Sequence, residues 1–331
     1  MDSRVSDGTS TVLVFALIAV ALAACDSGAR STDAAATEGP GEFEGRLDGP
    51  YNIAVDPNGD VWVGTSGKRL IFALAPTGAA YVRPMPTPRG RSDSGRPVFS
   101  ADGRIGLTIL GVEGHFGARV WVDSVGSILR EDTLPARAEG DLGYGRITWQ
   151  RSDGSESYTG ILAPFGPRDR LAHARSGGYA RAVTSRYEVD LYGADGVLLQ
   201  TIRRDDSGPM VSSAERQREE FVIDSLAAFY EQQPFRVEYE PGEIPGQKPP
   251  IDNLWFDEDG RLWVKLWDTD GDSLARAHVY GAAGEFLFHA AWPRDVSLED
   301  GAIRGDVAIG FATDEFDVPE IVKMVFGPGA S

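Results

Sequence analysis

The chain has 331 residues, with 50 acidic against 32 basic side chains, a net charge of -18 and a single cysteine. That charge argues against nucleic acid as a partner, because Lys and Arg must neutralise phosphates there, and a lone thiol excludes internal disulfides and multi-cysteine metal sites. The 40 glycines and 20 prolines punctuate many short β-rich runs, which points to an all-β chain with frequent turns.

Thirteen apolar residues run unbroken from Val12 to Ala24 and stop at Cys25. A membrane-spanning helix needs about 20 such residues, whereas the apolar core of a secretory signal needs about 7 to 15. Leu22-Ala23-Ala24-Cys25 resembles the lipobox of bacterial lipoproteins. That resemblance implies cleavage before Cys25 and acyl chains on its sulfur and new amino terminus, with two or more chains giving stable anchoring to membrane lipid. It places the protein in the bacterial cell envelope, facing the periplasm or the cell surface. Residues 1–24 are then the signal peptide, and 25–42, rich in Ser, Thr, Ala, Gly and acidic side chains, a flexible tether. The domain proper is 43–331.

Beyond the tether a two-part unit recurs. Its first half is a β run, a glycine turn and a second β run: Asn52-IAVDPNGDVWV-Gly64, Pro97-VFSADGRIGLTI-Leu110, Leu171-AHARSGGYARAV-Thr184 and Asn253-LWFDEDGRLWVKL-Trp267. A second glycine hairpin follows 18 to 24 residues later in each, at Gly78, Gly126, Gly196 and Gly284. Asn-Gly and Asp-Gly favour tight hairpins because both central residues must take positive φ. Four strands recurring about every 45 residues form the blade of a β-propeller. Six blades is the favoured count, with five possible. Gly145–Ala163 supplies a hairpin that could be a shortened blade, and the last unit, from Ala302 to about Phe326, lacks an outer strand that residues near Glu42 could supply.

One helical insertion is expected at about 206–250. Ser212-x-x-Glu215 is a capping box, and Val222, Leu226 and Phe229 form an apolar stripe able to dock on a sheet edge. The Pro-rich return at 241–250 suits neither helix nor strand.

Gly39-Pro-Gly-Glu-Phe43, Ile53-Ala-Val-Asp56, Gly59-Asp-Val-Trp-Val63, Arg69 and Gly78, echoed at Asn253–Val264, resemble NHL repeats and the related bacterial six-bladed propeller lipoproteins. The resemblance is specific for architecture and weak for activity.

For chemistry the chain offers little. Asp268-Thr-Asp-Gly-Asp272 has alternating carboxylates but lacks the Gly and Glu positions of an EF-hand loop. Asp56, Asp102, Asp257 and Asp259 could face a propeller channel and hold a divalent metal, as in gluconolactonase-like propellers, yet most stand one to three residues before glycine, where Asp makes turns. Asp56 and Asp257 are the alternative metal ligands. His115, His173, His278 and His289 show no metal-binding spacing, and the seven tryptophans read as packing between blades. The expectation is a membrane-anchored scaffold for a protein, peptide or glycan, without cofactor or catalysis. The alternative is a metal-dependent lactonase or lyase.

Overall fold

The computed structural model describes residues 14–19, 41–42, 50–56, 61–65, 70–74, 80–84, 93–100, 102–110, 116–123, 126–133, 144–150, 155–232, 237–313 and 319–327. Cys25, Arg69 and Gly78 lie outside them, as does nearly all of the proposed tether.

The chain opens with β1 (Val14–Ala19) and β2 (Gly41–Glu42). The first sheet follows as β3 (Pro50–Val55), β4 (Val61–Thr65), β5 (Leu70–Leu74) and β6 (Ala80–Pro84), with β2 added beyond β6. The second is β7 (Asp93–Phe99), β8 (Ile105–Leu110), β9 (Phe116–Val122) and β10 (Ile128–Thr133). Next come the hairpin strands β11 (Tyr144–Gln150) and β12 (Glu156–Leu162). The fourth sheet is β13 (Asp169–His173), β14 (Tyr179–Val183), β15 (Glu188–Tyr192) and β16 (Leu198–Arg203). The insertion carries α1 (Ser213–Glu231) and β17 (Val237–Glu240), and β17 joins β11 and β12 to make the third sheet. The fifth sheet is β18 (Ile251–Phe256), β19 (Leu262–Leu266), β20 (Leu274–Tyr280) and β21 (Phe286–Pro293). The last is β22 (Ser297–Arg304), β23 (Val307–Thr313) and β24 (Pro319–Phe326), with β1 on its outer edge.

All the pairings are antiparallel; three sheets run strictly in chain order and two more do so apart from one added edge strand, β1 or β2, which makes this an all-β propeller fold with one helix among the described residues. The inner strands pack in succession: β22 on β3, β3 on β7, β13 on β18, and β18 on β22. Apolar clusters fill the same interfaces. Ala54 and Trp62 meet Phe99, Leu107 and Val120, while Val189 and Leu191 meet Ile251 and Leu262. Between the fifth and last sheets Trp255, Trp263 and Trp292 pack edge-on or stacked, with ring centroids 5.8 to 6.3 Å apart, against Leu298 and Met324. Blade-to-blade packing is thus what these tryptophans do.

The glycine turns form for the expected reason. Gly103 and Gly260 both sit at φ 81°, with nothing near a Cβ position, so the backbone and not space demands glycine. In the first and fifth sheets an aspartate at the end of the first strand also holds a tryptophan six residues on: Trp62 Nε1 donates to Asp56 at 3.2 Å, and Trp263 Nε1 to Asp257 at 2.8 Å.

Two expectations shift. The last sheet's fourth strand is β1, inside the run read as an export signal, whereas Glu42 pairs with Tyr81 on the first sheet. A six-residue apolar segment suits an open sheet edge as well as it suits a membrane, and periodicity does not separate the two. The insertion is also not separate from the sheets, since β17 lies within it and pairs with β11 from Arg146↔Glu240 to Trp149↔Val237.

Candidate functional site

Alternating strand direction puts the glycine turns between first and second strands on one face of the ring. The second-to-third connections and the links between sheets lie on the other.

On the glycine-turn face, Arg175 lies across the axis. Its Nε donates to Phe99 O at 2.6 Å, one terminal nitrogen to Val55 O at 3.1 Å, and the other pairs with Glu258 at 2.8 Å. One guanidinium thereby joins the fourth sheet to the first, second and fifth. The circuit continues from Glu258 N to Ile303 O at 2.8 Å and from Arg304 to Asp56 O at 3.4 Å. The carboxylates weighed as metal ligands are engaged separately here. Asp257 accepts from Trp263, from Arg261 Nε at 2.6 Å and from the amides of Asp259 and Arg261; burial pushes its carboxyl above the ordinary range, although Trp263 and Arg261 pull the other way. Asp259 accepts from Arg261 and from Gly305 N. Asp102 accepts from Ser100 and pairs with Arg104, and the Ser100 hydrogen bond holds it below the usual range. Among the described residues no three Asp, Glu, His or Cys side chains gather as a metal site.

On the opposite face the insertion is fastened by polar contacts. Ser212 caps α1, its Oγ accepting from Glu215 N and its amide donating to Glu215 Oε2. Glu215 and Lys248 form an ion pair with side chains 3% and 1% exposed. Burial works to raise the Glu215 carboxyl, but Lys248 and the Ser212 amide hold it below the usual range. Lys248 also donates to Asp268 O at 2.7 Å and lies over the rings of Phe165 and Trp267. The acidic Asp268–Asp272 loop is a docking platform: Asp270 accepts from Ser212 Oγ at 2.8 Å and from Arg218, and Asp272 from Thr269 N and Arg276. Inward from it, a register shift between Ile251 and Asn253 accompanies Asp252, whose carboxylate meets Lys265 at 3.2 Å; Lys265 pairs in turn with Glu299 at 2.8 Å.

The helix stripe is only partly covered by the sheet edge that it meets at β17. Val222 is 47% and Phe229 56% exposed, and the neighbouring Phe221 is more so. The polar anchors fix only the helix start, leaving its far half against β17 through Tyr230 and Tyr239.

Between insertion and sheets lie two cavities. One, about 480 Å³, is bordered by Tyr187, Arg204, Asp206 and Lys248; the other, about 410 Å³, by Arg168, Val222, Leu226, Tyr239 and Trp267. Phe165 lines both. Its backbone is left-handed at φ 55°, in a turn closed by Gly166 N to Ala163 O, and its ring meets Trp267 edge-on at 5.6 Å. A bulky side chain rarely accepts that conformation.

Behind the first cavity is a buried polar cluster. Tyr187 Oη is 2.7 Å from His278 Nδ1 and 3.0 Å from Tyr280 Oη, and His289 stands opposite His278 with ring centroids 4.7 Å apart. Burial, together with nearby Arg204 and His289, lowers the His278 pKa to about 4, and burial raises that of Tyr187. So two histidines that look remote in sequence are cross-strand neighbours, while His173 stands elsewhere with its Nε2 buried and unpartnered. Sequence reasoning missed Arg175, Lys248, Arg168, Phe165 and Tyr187. A lone lysine inside the Pro-rich Gly-Gln-Lys-Pro-Pro is the one visible signal.

No protein-family model and no curated protein sequence matches the chain. Among solved structures it is similar to virginiamycin B lyase from Staphylococcus aureus, in a catalytically inactive form with quinupristin, at 12% identity and TM-score 0.39, covering 87% of this chain and 98% of that one. A member of the DUF4221 family from Bacteroides vulgatus gives 8% identity and TM-score 0.39, covering 86% and 93%. The calcium-binding protein regucalcin from Agrobacterium tumefaciens gives 14% and 0.35, covering 87% and 94%. Likenesses this distant carry nothing about activity, and the fold stands on the chain's own sheet order.

Proposed function

We propose that this is a lipid-anchored, extracytoplasmic propeller of the NHL-like type that binds a peptide, protein or glycan beneath its insertion and performs no chemistry there. In this reading five sheets surround the axis, and the third sheet is a sixth, reduced blade carried out toward the insertion. The observation that carries the binding site is Phe165, held at φ 55° between two cavities. Such strain costs about 1–3 kcal/mol, persists only where the surroundings enforce it, and collects at ligand clamps. Peptide and glycan arrays probed with the protein and with Trp267→Ala test it. Signals lost in the variant support the site; an identical pattern, or none for either protein, overturns it.

Anchoring rests on Leu22-Ala23-Ala24-Cys25. Cleavage there removes β1 and leaves β24 as the edge of the last sheet. Cys25→Ala should abolish acyl labelling and leave an unprocessed mass; unchanged labelling and mass would refute the anchor. The lactonase alternative requires a cation bound to the native state, which raises the melting temperature by mass action. Millimolar calcium, zinc or magnesium should leave the transition unmoved. Stabilisation by one of them, lost in Asp56→Asn or Asp257→Asn, would promote that alternative instead.

A further inference from the structure

Arg168 stands just ahead of β13, where its amide donates to Thr184 Oγ1 and its carbonyl accepts from Thr184 N. The backbone is thus fixed, and the side chain is left over for other work. Its guanidinium lies 5.8 Å from the centroid of the Trp267 ring and lines the 410 Å³ cavity. Among the described residues no carboxylate or carbonyl takes a hydrogen bond from it, and its Nε is buried without a partner. This contrasts with the neighbouring cations, since Lys248 is paired with Glu215, Lys265 with Asp252 and Glu299, and Arg181 with Asp169. A buried donor left unmade is costly, so an uncompensated guanidinium in a cavity selects for an anion that accepts its fork.

The rest of the lining sets what the anion must carry. Phe165, Trp267, Tyr239, Val222 and Leu226 supply aromatic and aliphatic walls, and the volume falls in the range of small-ligand sites. Among the described residues Glu219 is the one other charged side chain lining the cavity. It disfavours a second negative charge and can accept from a ligand ammonium.

We infer that this cavity binds a single carboxylate attached to an aromatic or branched apolar body, with Arg168 on the carboxylate and Trp267 and Phe165 on the body. The inference rests on the reading that the insertion-covered face is the binding face. A free aryl carboxylate and the C-terminus of a peptide ending in an apolar residue share this chemistry.

Calorimetric titration of the purified protein with N-acetyl-L-phenylalanine and with its C-terminal amide tests the carboxylate. The acid should bind at least about ten-fold tighter than the amide, and Arg168→Met should erase that preference with little change in the melting temperature, because the guanidinium makes no hydrogen bond or ion pair among the described residues and methionine can still pack on the Trp267 ring. Trp267→Leu should weaken acid and amide alike. Free L-phenylalanine binding tighter than the acetylated acid assigns Glu219 to the ammonium, whereas a peptide with C-terminal phenylalanine binding tighter than either assigns the site to chain ends; both outcomes support the carboxylate. Acid and amide binding equally well, and both lost in Trp267→Leu, would overturn the carboxylate chemistry while leaving the binding face standing. Binding of neither probe while the arrays retain Trp267-dependent signals would overturn this cavity's role alone. Empty arrays as well would overturn both readings.

Discussion

Replacing Arg175 by methionine removes one side chain and opens contacts among four sheets. Two bonds are well formed, at 2.6 Å to Phe99 O and 3.1 Å to Val55 O, and a third reaches Glu258 O at 3.4 Å. Hydrogen bonds from a charged donor contribute about 1.5–3 kcal/mol each. Breaking a buried ion pair from one side costs about 3–5 kcal/mol, and the Glu258 side chain is 5% exposed. These terms overlap, because the same desolvated groups enter both, so about 4 kcal/mol is the working figure against a total stability of roughly 5–15 kcal/mol. In urea the midpoint should fall by on the order of 1 M, with the slope little changed. Arg175→Lys should recover the charge but not the fork, and so fall between wild type and methionine. Adding Glu258→Gln to Arg175→Met should restore part of the loss, because no buried carboxylate then lacks its cation. A loss below about 1 kcal/mol in Arg175→Met would refute the claim that this arginine joins the sheets at the axis.

The His278 pKa is lowered from 6.5 to about 4, so its neutral form stabilises the fold fully above pH 6.5 and that contribution fades as pH falls toward 4, by about 3 kcal/mol in all. His278→Gln should flatten the stability profile in that window; parallel profiles would refute the assignment. Lys248→Met leaves Glu215 buried without its cation and should cost about 3–5 kcal/mol or release the insertion to rapid proteolysis, with Glu215→Gln added to it recovering part. Arg119 is 2% exposed, with Nε and one terminal nitrogen unpartnered and burial taking its pKa to about 9, so Arg119→Met should be neutral or stabilising by up to about 4 kcal/mol in urea melts. A clear loss in that variant would mean the guanidinium supports the ring.

What the sequence makes legible here is what local chemistry decides. Asp56 and Asp257, each at the end of a first strand, hold a tryptophan six residues on, and the turn at Asp257 closes at Gly260, because strand end and indole hydrogen bond are set within eight residues. The capping box at Ser212 and Glu215 is equally local. Arg175 and Glu258 occupy the same place in two such turns, after Ala174 and Asp257, but their pairing spans 83 residues and depends on which turns face across the axis. No pattern within either segment announces that. The stripe at Val222, Leu226 and Phe229 has the period of a docking face, yet period says nothing about where a helix is held. Here polar anchors at its start decide the pose.

Those anchors also bear on how a ligand reaches the site. The axis is closed at the glycine-turn end by the Arg175–Glu258 pair, so a molecule entering along it meets a charged, multiply bonded barrier. On the opposite face the insertion overlies the third, fourth and fifth sheets, its start tied through Ser212 and Glu215 and its return through Lys248 to Asp268. Gly208 is pressed against the return so closely that a Cβ there would stand 2.0 Å from Lys248 O, which leaves no slack at that end. What can yield is the far half of α1, from Phe221 to Phe229, which exposes apolar side chains and meets β17. The cavity holding Arg168 is bordered by that half, through Val222 and Leu226, and on its other side by Trp267. The insertion therefore has a fixed edge next to Lys248 and a loosely held edge next to Arg168, and the second is the side on which a ligand can enter without breaking a buried ion pair.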